Sequence, residues 1–119
     1  MTAAEASFYD ALVLNPHTPY LGRVEDSPYL PMYRAAAALV PAGESVVELG
    51  CGTGRLGKML IDAGHRYIGL DFAPKLIREA RRYNGRAADF RVADLRTDPI
   101  PAADCYVATE VLEHLDDDL

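Results

Sequence analysis

Five acidic residues in this chain stand where a carboxylate is chemically useful. Glu48 interrupts an apolar run, Val46-Val47-Glu48-Leu49, which leads directly into Gly50-Cys51-Gly52-Thr53-Gly54. A carboxylate inside such a run is costly unless hydrogen bonds satisfy it. Asp71 closes a second run, Tyr67-Ile68-Gly69-Leu70, about 20 residues after the glycines. That separation suits a carboxylate accepting hydrogen bonds from two ribose hydroxyls. The same residue also suits a helix N-terminus, where the dipole favours negative charge. Asp94 follows Val92-Ala93 at the end of a third run, a place equally ordinary for a turn aspartate. Downstream, Glu110-Val111-Leu112-Glu113-His114 sets two carboxylates and an imidazole on one side of a helical turn. His114 and Glu113, with His17 from the N-terminal segment, are the candidate general bases. By donor type, Glu110, Glu113 and His114 also suit a divalent metal.

These groups need a scaffold, and the glycine cluster supplies its most specific part. A turn with so many missing side chains tolerates positive φ and lets a ligand approach the backbone. It opens onto a helix N-terminus, where free N–H groups and the dipole favour a negative or polar ligand group. Gly52-Thr53-Gly54-Arg55-Leu56-Gly57 formally matches the dinucleotide pattern G-x-G-x-x-G. The plain alternative is a structural glycine turn with no ligand.

Two features weigh against a dinucleotide: Glu48 ahead of the glycines, and the later block Asp104-Cys105-Tyr106-Val107-Ala108-Thr109-Glu110-Val111-Leu112-Glu113-His114-Leu115. Together, V-V-E-L-G-C-G-T-G and D-C-Y-V-A-T-E-V-L-E-H-L resemble the class I, Rossmann-like S-adenosylmethionine (SAM)-dependent methyltransferases, over roughly residues 30–119. The resemblance implies SAM as cofactor, S-adenosyl-L-homocysteine (SAH) as product, and methyl transfer to a small-molecule acceptor by in-line displacement. It implies that Glu48, Gly50, Cys51, Gly52, Thr53 and Gly54 form the cofactor's amino-acid end of the site. Glu48 would either bond the N–H groups of the turn or reach the cofactor's amino group. Asp71 would take the ribose. Asp94 would take the adenine amine, the N–H of Leu95 a ring nitrogen, and Phe72 and Leu95 the faces of the base. Thr109 and Glu110 would border the methionine portion. The cofactor carries a good leaving group, so positioning supplies much of the acceleration. The E-x-x-E-H spacing also resembles the metal ligands of small-RNA 3′-end 2′-O-methyltransferases. E-V-L-E-H-L is common as well in methyltransferases with small-molecule acceptors and no metal, and no metal is expected here. A metal-assisted RNA-end methyltransferase and a non-catalytic SAM-binding module are the alternatives.

Periodicity and breakers give the elements. Ala4 to Leu14 has the spacing of a short amphipathic helix, broken by Asn15-Pro16-His17-Thr18-Pro19. Pro31 opens a helix over Met32 to Leu39 as a first-turn proline. Strands are expected at Ser45 to Leu49, Arg66 to Leu70, Phe90 to Val92 and Ala103 to Thr109. Helices are expected over 54–63, stopped by Gly64, and from Ala73-Pro74 to about Tyr83, stopped by Asn84-Gly85. The pattern reads as α/β, a Rossmann-like parallel sheet truncated to about four strands in the order 3-2-1-4, with helices mainly on one face. Residues 1–31 form an N-terminal segment and candidate substrate lid, and 32–119 a SAM-binding domain. Tyr9, Tyr20, Tyr29, Tyr33, Phe8 and His17 suit either an aromatic lid or core anchors. The resembling family has seven strands covered on both faces. A sheet that ends at the fourth strand would have a naked face and an open edge, so a homodimer is expected.

The chain has 119 residues, enough for one modest core. Its net charge of −6 argues against broad electrostatic binding to nucleic acid but leaves room for a short RNA end or a single nucleotide as substrate. The basic residues Lys75, Arg78, Arg81, Arg82, Arg86 and Arg91 read as a solvated helix face. Cys51 and Cys105 fall in core segments without a spacing motif, which suggests a reducing compartment. No signal peptide is apparent and no apolar run approaches the ~20 residues of a membrane span, so a cytoplasmic location is expected.

Overall fold

A computed structural model describes Thr2 and residues 21–109. The strands are β1 Val46–Leu49, β2 Tyr67–Asp71, β3 Asp89–Val92 and β4 Cys105–Val107. The helices are α1 Leu30–Ala38, α2 Arg55–Asp62 and α3 Pro74–Asn84, preceded by a short 3-10 turn at Val24–Asp26. The four strands form one parallel sheet in the order β3-β2-β1-β4. Each element lies within a residue or two of its expected place, and β4 is shorter than expected by two residues at each end. The expected helix over Ala4 to Leu14 lies outside the described residues, and the 3-10 turn was not anticipated. Among the described residues no helix is long and apolar enough to cross a membrane.

Local chemistry explains the boundaries. Pro31 and Pro74 sit in the first turns of α1 and α3, where a missing N–H costs nothing. Gly64 and Gly85 follow α2 and α3 at positive φ. β4 is shorter than its apolar run. The Ala103 N–H donates to the Tyr106 hydroxyl (3.1 Å) and the Asp104 N–H to Ser45 Oγ (3.0 Å). These two amides are thereby taken up by side chains instead of a strand ladder.

Residues of β1 and β2 alternate between two apolar layers, as expected of a parallel sheet buried on both faces. On one face Val46, Tyr67 and Phe90 pack against Leu56 and Leu60 of α2 and Ile77 of α3. Tyr33, Ala36 and Ala37 of α1 border this layer. On the other, Val47, Leu70 and Ala93 pack with Leu49, Ile68, Leu95 and Ala103. All three helices thus serve the first face. The second face is not naked, contrary to expectation: Val47 is 1 % and Leu70 2 % exposed. Leu95 and Ala103, from the link between β3 and β4, help to close it. On the outer strands Tyr106, which pairs with Val47 and so shares this face, and Val92, on the first face, are each 50 % exposed.

Candidate functional site

The site lies at the carboxyl ends of the strands. The chain runs outward from β1 to β2 and β3 and then returns to β4 on the other side of β1. The strand order therefore reverses between β1 and β4, which is where open α/β sheets form a ligand crevice. The glycine turn stands at that point.

Its geometry is fixed by backbone bonds. The N–H groups of Gly50 and Cys51 both donate to the Leu70 carbonyl, at 2.8 and 2.9 Å. The Gly54 N–H donates to Cys51 O at 3.0 Å. Gly52 and Gly54 have φ of 54° and 77°, a region that side chains disfavour. At Gly54 the constraint is steric too. A Cβ there would stand 2.7 Å from Asn84 Nδ2 and 2.9 Å from Ala80 Cβ. Asn84 uses this close approach to donate to the Gly54 carbonyl at 3.1 Å. At Gly52 the space is open, so the turn presents bare backbone to the crevice.

Asp71 closes β2 and is buried at 6 %. Its Oδ2 accepts the Gly52 N–H at 2.9 Å and its Oδ1 the Ala73 N–H at 3.1 Å. It thus ties the glycine turn to the start of α3, the helix N-terminal role open to it on sequence. A carboxylate accepts up to about four hydrogen bonds, and Asp71 commits at least two of them to backbone N–H groups.

Glu48 does not brace the turn in the way one of its two expected roles requires. Its partner is the Tyr67 hydroxyl, which donates to Oε1. The amides of Gly50, Cys51, Gly52 and Gly54 all go elsewhere, so none of these four braces Glu48. The reason is register. Glu48 pairs with Gly69, and Val46 with Tyr67. With no side chain at Gly69, the Tyr67 ring lies along the sheet, and a Cβ at Gly69 would come 2.7 Å from its hydroxyl. Burial pushes the Glu48 carboxyl up to about 8, against the lowering effect of the Tyr67 bond, and nearby Asp71 adds to the rise. Burial and Glu48 likewise raise the Tyr67 phenol, which keeps it a donor. Burial first, then Asp71 and Glu48, raises the Cys51 thiol, so the thiol stays protonated beside the turn.

On the outer strands the expected residues are placed differently. Asp94 is half-buried, and its Oδ1 accepts the Arg96 N–H at 3.0 Å. That bond holds its carboxyl down at about 2. Its own N–H donates to Asp98 Oδ2 at 2.8 Å. Asp94 thus organises the link that follows β3, as a turn aspartate does. Leu95 packs into the second apolar layer, while Phe72 is half-buried beside Asp71. Thr53 is buried in the turn and Thr109 is half-buried beyond β4. Glu110, Glu113, His114 and His17 lie outside the described residues.

Arg55 was missed on sequence as a site residue. It opens α2 directly after the glycines and is 3 % exposed. Its Nη1 donates to Thr53 O at 2.8 Å and its Nε to Gly22 O at 3.0 Å. It pairs with Glu79 at 3.2 Å and lies over the Tyr83 ring, 3.8 Å from the centroid. The basic residues around it serve structure. Arg82 pairs with Glu79, Arg91 with Asp89, and Arg81 donates to Phe90 O.

A parallel sheet of this order, with a glycine turn after β1 and an acidic residue closing β2, defines a Rossmann-like nucleotide-cofactor fold. Comparison with known proteins narrows that class. The ubiquinone biosynthesis O-methyltransferase of Xanthomonas axonopodis pv. citri (strain 306) is 34 % identical over 88 residues, covering 69 % of this chain and 37 % of that protein. A TehB-like SAM-dependent methyltransferase from Corynebacterium glutamicum ATCC 13032 superposes with a TM-score of 0.68 at 28 % identity, covering 98 % of this chain and 61 % of that one. A SAM-dependent methyltransferase from Mesorhizobium loti gives 0.64 at 25 % identity, covering 79 % and 45 %. The chain spans well under half the length of the curated relatives it matches. A family described as a methyltransferase domain matches residues 46–119, and the chain belongs to that family, with the class I SAM-dependent fold.

Proposed function

We propose that this chain serves a SAM-dependent methyltransferase acting on a small-molecule acceptor. The observation that carries the reading is the glycine turn at the β1/β4 reversal, pinned by Asp71 through the Gly52 N–H. The residues fit the cofactor: open space at Gly52 leaves a backbone cradle, and a buried acidic residue stands one strand away. When bound, the cofactor supplies a methyl group on a sulfonium, whose thioether leaves readily.

In this reading Gly50, Cys51, Gly52, Thr53 and Gly54 hold the amino-acid end, with the N-terminus of α2 behind them. Asp71 takes the ribose hydroxyls. Asp94, Leu95 and Phe72 frame the base, and Thr109 and Glu110 border the methionine portion. Glu48 sits beneath the turn and, in this reading, reaches toward the amino end of the cofactor. The O-methyltransferase name of the Xanthomonas relative supports an oxygen acceptor. A hydroxyl needs a base within reach, and His114, Glu113 and His17 are the candidates. Residues 1–31 serve as the lid, and 32–119 as the cofactor domain. The open edge of β4 and the exposed Tyr106 support pairing with a second copy. Two free thiols, Cys51 and Cys105, support a cytoplasmic setting.

Calorimetry with SAM and with SAH tests the first step, and a screen of hydroxyl acceptors with labelled cofactor the second. Binding of both ligands, followed by label transfer, is expected. Absence of binding to either defeats the proposal. Light scattering showing a well-folded monomer at micromolar concentration would remove the second copy from it.

A further inference from the structure

The glycine turn and the segment before α1 share one buried guanidinium. Arg55 donates to Thr53 O inside the turn and to Gly22 O in the segment. Glu79 of α3 accepts from both of its terminal nitrogens at 3.2 Å, and the Tyr83 ring packs on its face at 3.8 Å. Tyr83 reaches back to the same segment, its hydroxyl accepting the Val24 N–H at 2.8 Å. Val24 itself is 4 % exposed.

We infer that Arg55 is a positioning residue that couples the conformation of the glycine turn to the seating of residues 22–26. The guanidinium presents its N–H groups in one rigid plane, so Nε and Nη1 cannot be re-aimed separately. A turn that moves the Thr53 carbonyl rotates that plane and misaligns the bond to Gly22. A segment that lifts away strands a buried donor, which resists the motion. Glu79 and Tyr83 clamp the plane from α3, so the strain passes to the segment rather than dissipating. Ligand binding that rigidifies the turn therefore seats the segment, and by reciprocity a seated segment favours the ligand. The part that concerns SAM rests on the function proposed above. The coupling of turn to segment does not.

Amide hydrogen exchange over 21–27 and 50–56, with and without SAH, is the test. In the wild-type chain SAH should slow exchange in both stretches. Arg55→Met should speed exchange in both together without ligand, and uncouple the 21–27 stretch from SAH. SAH affinity should fall by about fivefold or more, the low end of ordinary coupling factors. Tyr83→Phe keeps the ring under Arg55 but frees Val24, and should loosen 21–27 with a smaller loss of affinity. Glu79→Gln separates positioning from mere stability. It removes the charge but keeps an amide oxygen to accept from the guanidinium, and it leaves the bonds to Gly22 and Thr53, so it should lower the melting temperature and preserve coupling. Unchanged ligand-free exchange of both stretches in Arg55→Met, or a 21–27 stretch in that variant that still slows with SAH as in the wild type, overturns the inference. So does coupling lost equally in Glu79→Gln. If the wild-type chain binds no SAH, the cofactor reading falls, and exchange of the ligand-free variants still decides the coupling.

Discussion

The inner and outer strands carry their acidic residues in different ways. Asp71, at the end of β2, is buried and spends its oxygens on the N–H groups of Gly52 and Ala73, two segments apart from each other. Asp94, just past β3, is half-buried and bonds within its own link, to the N–H of Arg96. One carboxylate ties the glycine turn to α3, and the other accepts from the backbone of the link that follows it. The inner half is thus pre-organised by cross-chain bonds before any ligand arrives. The outer strands are less enclosed, with Val92 on β3 and Tyr106 on β4 each 50 % exposed.

The strongest way to break this contrast is to disturb the inner half sterically. Gly54→Ala must place a Cβ within 3.0 Å of Asn84, Ala80 and Phe90 at a φ of 77°. Overpacking and the left-handed backbone together should cost about 3 kcal/mol of stability. Gly43→Ala meets open space at a φ of 83° and should cost only about 1 kcal/mol. Urea denaturation of the two variants side by side checks this, and equal losses would mean that the inner half is not tightly packed around the turn.

Asp71→Ala comes next. It removes the brace on Gly52 along with the proposed ribose acceptor, and SAH affinity should fall by about 1.5–3 kcal/mol in calorimetry. An unchanged affinity would move the ligand away from β2.

Glu48 sharpens the comparison through pH. Its carboxyl is raised from 4.5 to about 8 by burial, so the folded state favours the protonated form. The resulting stability is fully present below the unfolded value near 4.5 and is lost as pH rises through about 8. The wild-type chain should therefore lose stability on the order of 3–4 kcal/mol between pH about 5 and about 8. Glu48→Gln keeps an oxygen for the Tyr67 hydroxyl and removes the ionisation. Its unfolding free energy should be flatter over that window and should exceed the wild type at the alkaline end. A wild-type profile already flat would refute the burial argument.

The inner strands, the glycine turn and Asp71 were legible in the sequence because each follows from local rules. Val46-Val47 and Ile68 have strand character, glycines mark the turn, and a charged residue closes each run. What escaped depends on register or long-range packing. That Tyr67 satisfies Glu48 follows only from Gly69 standing opposite Glu48 in the parallel pairing. Arg55 has the look of any helix arginine until α3 brings Glu79 and Tyr83 to it. β4 looked longer because its apolar pattern is continuous, and only the folded chain sends the amides of Ala103 and Asp104 to Tyr106 and Ser45.

The smallest effect belongs to Asp94, and it is the one that separates loop from ligand. Asp94→Asn retains a side-chain oxygen for the Arg96 N–H, so stability should change by no more than about 0.5 kcal/mol. If the residue also accepts from an adenine amine, SAH affinity should fall by more than stability does, by about 1 kcal/mol, because the neutral amide is a weaker acceptor. The wild-type carboxyl is held at about 2, so it is charged throughout the range in which the chain can be handled. The difference in affinity between wild type and variant should therefore be constant from pH about 5 to about 8. An affinity that follows stability one for one would confine Asp94 to its own link, and the outer half of the crevice would then owe its recognition of the base to Phe72 and Leu95.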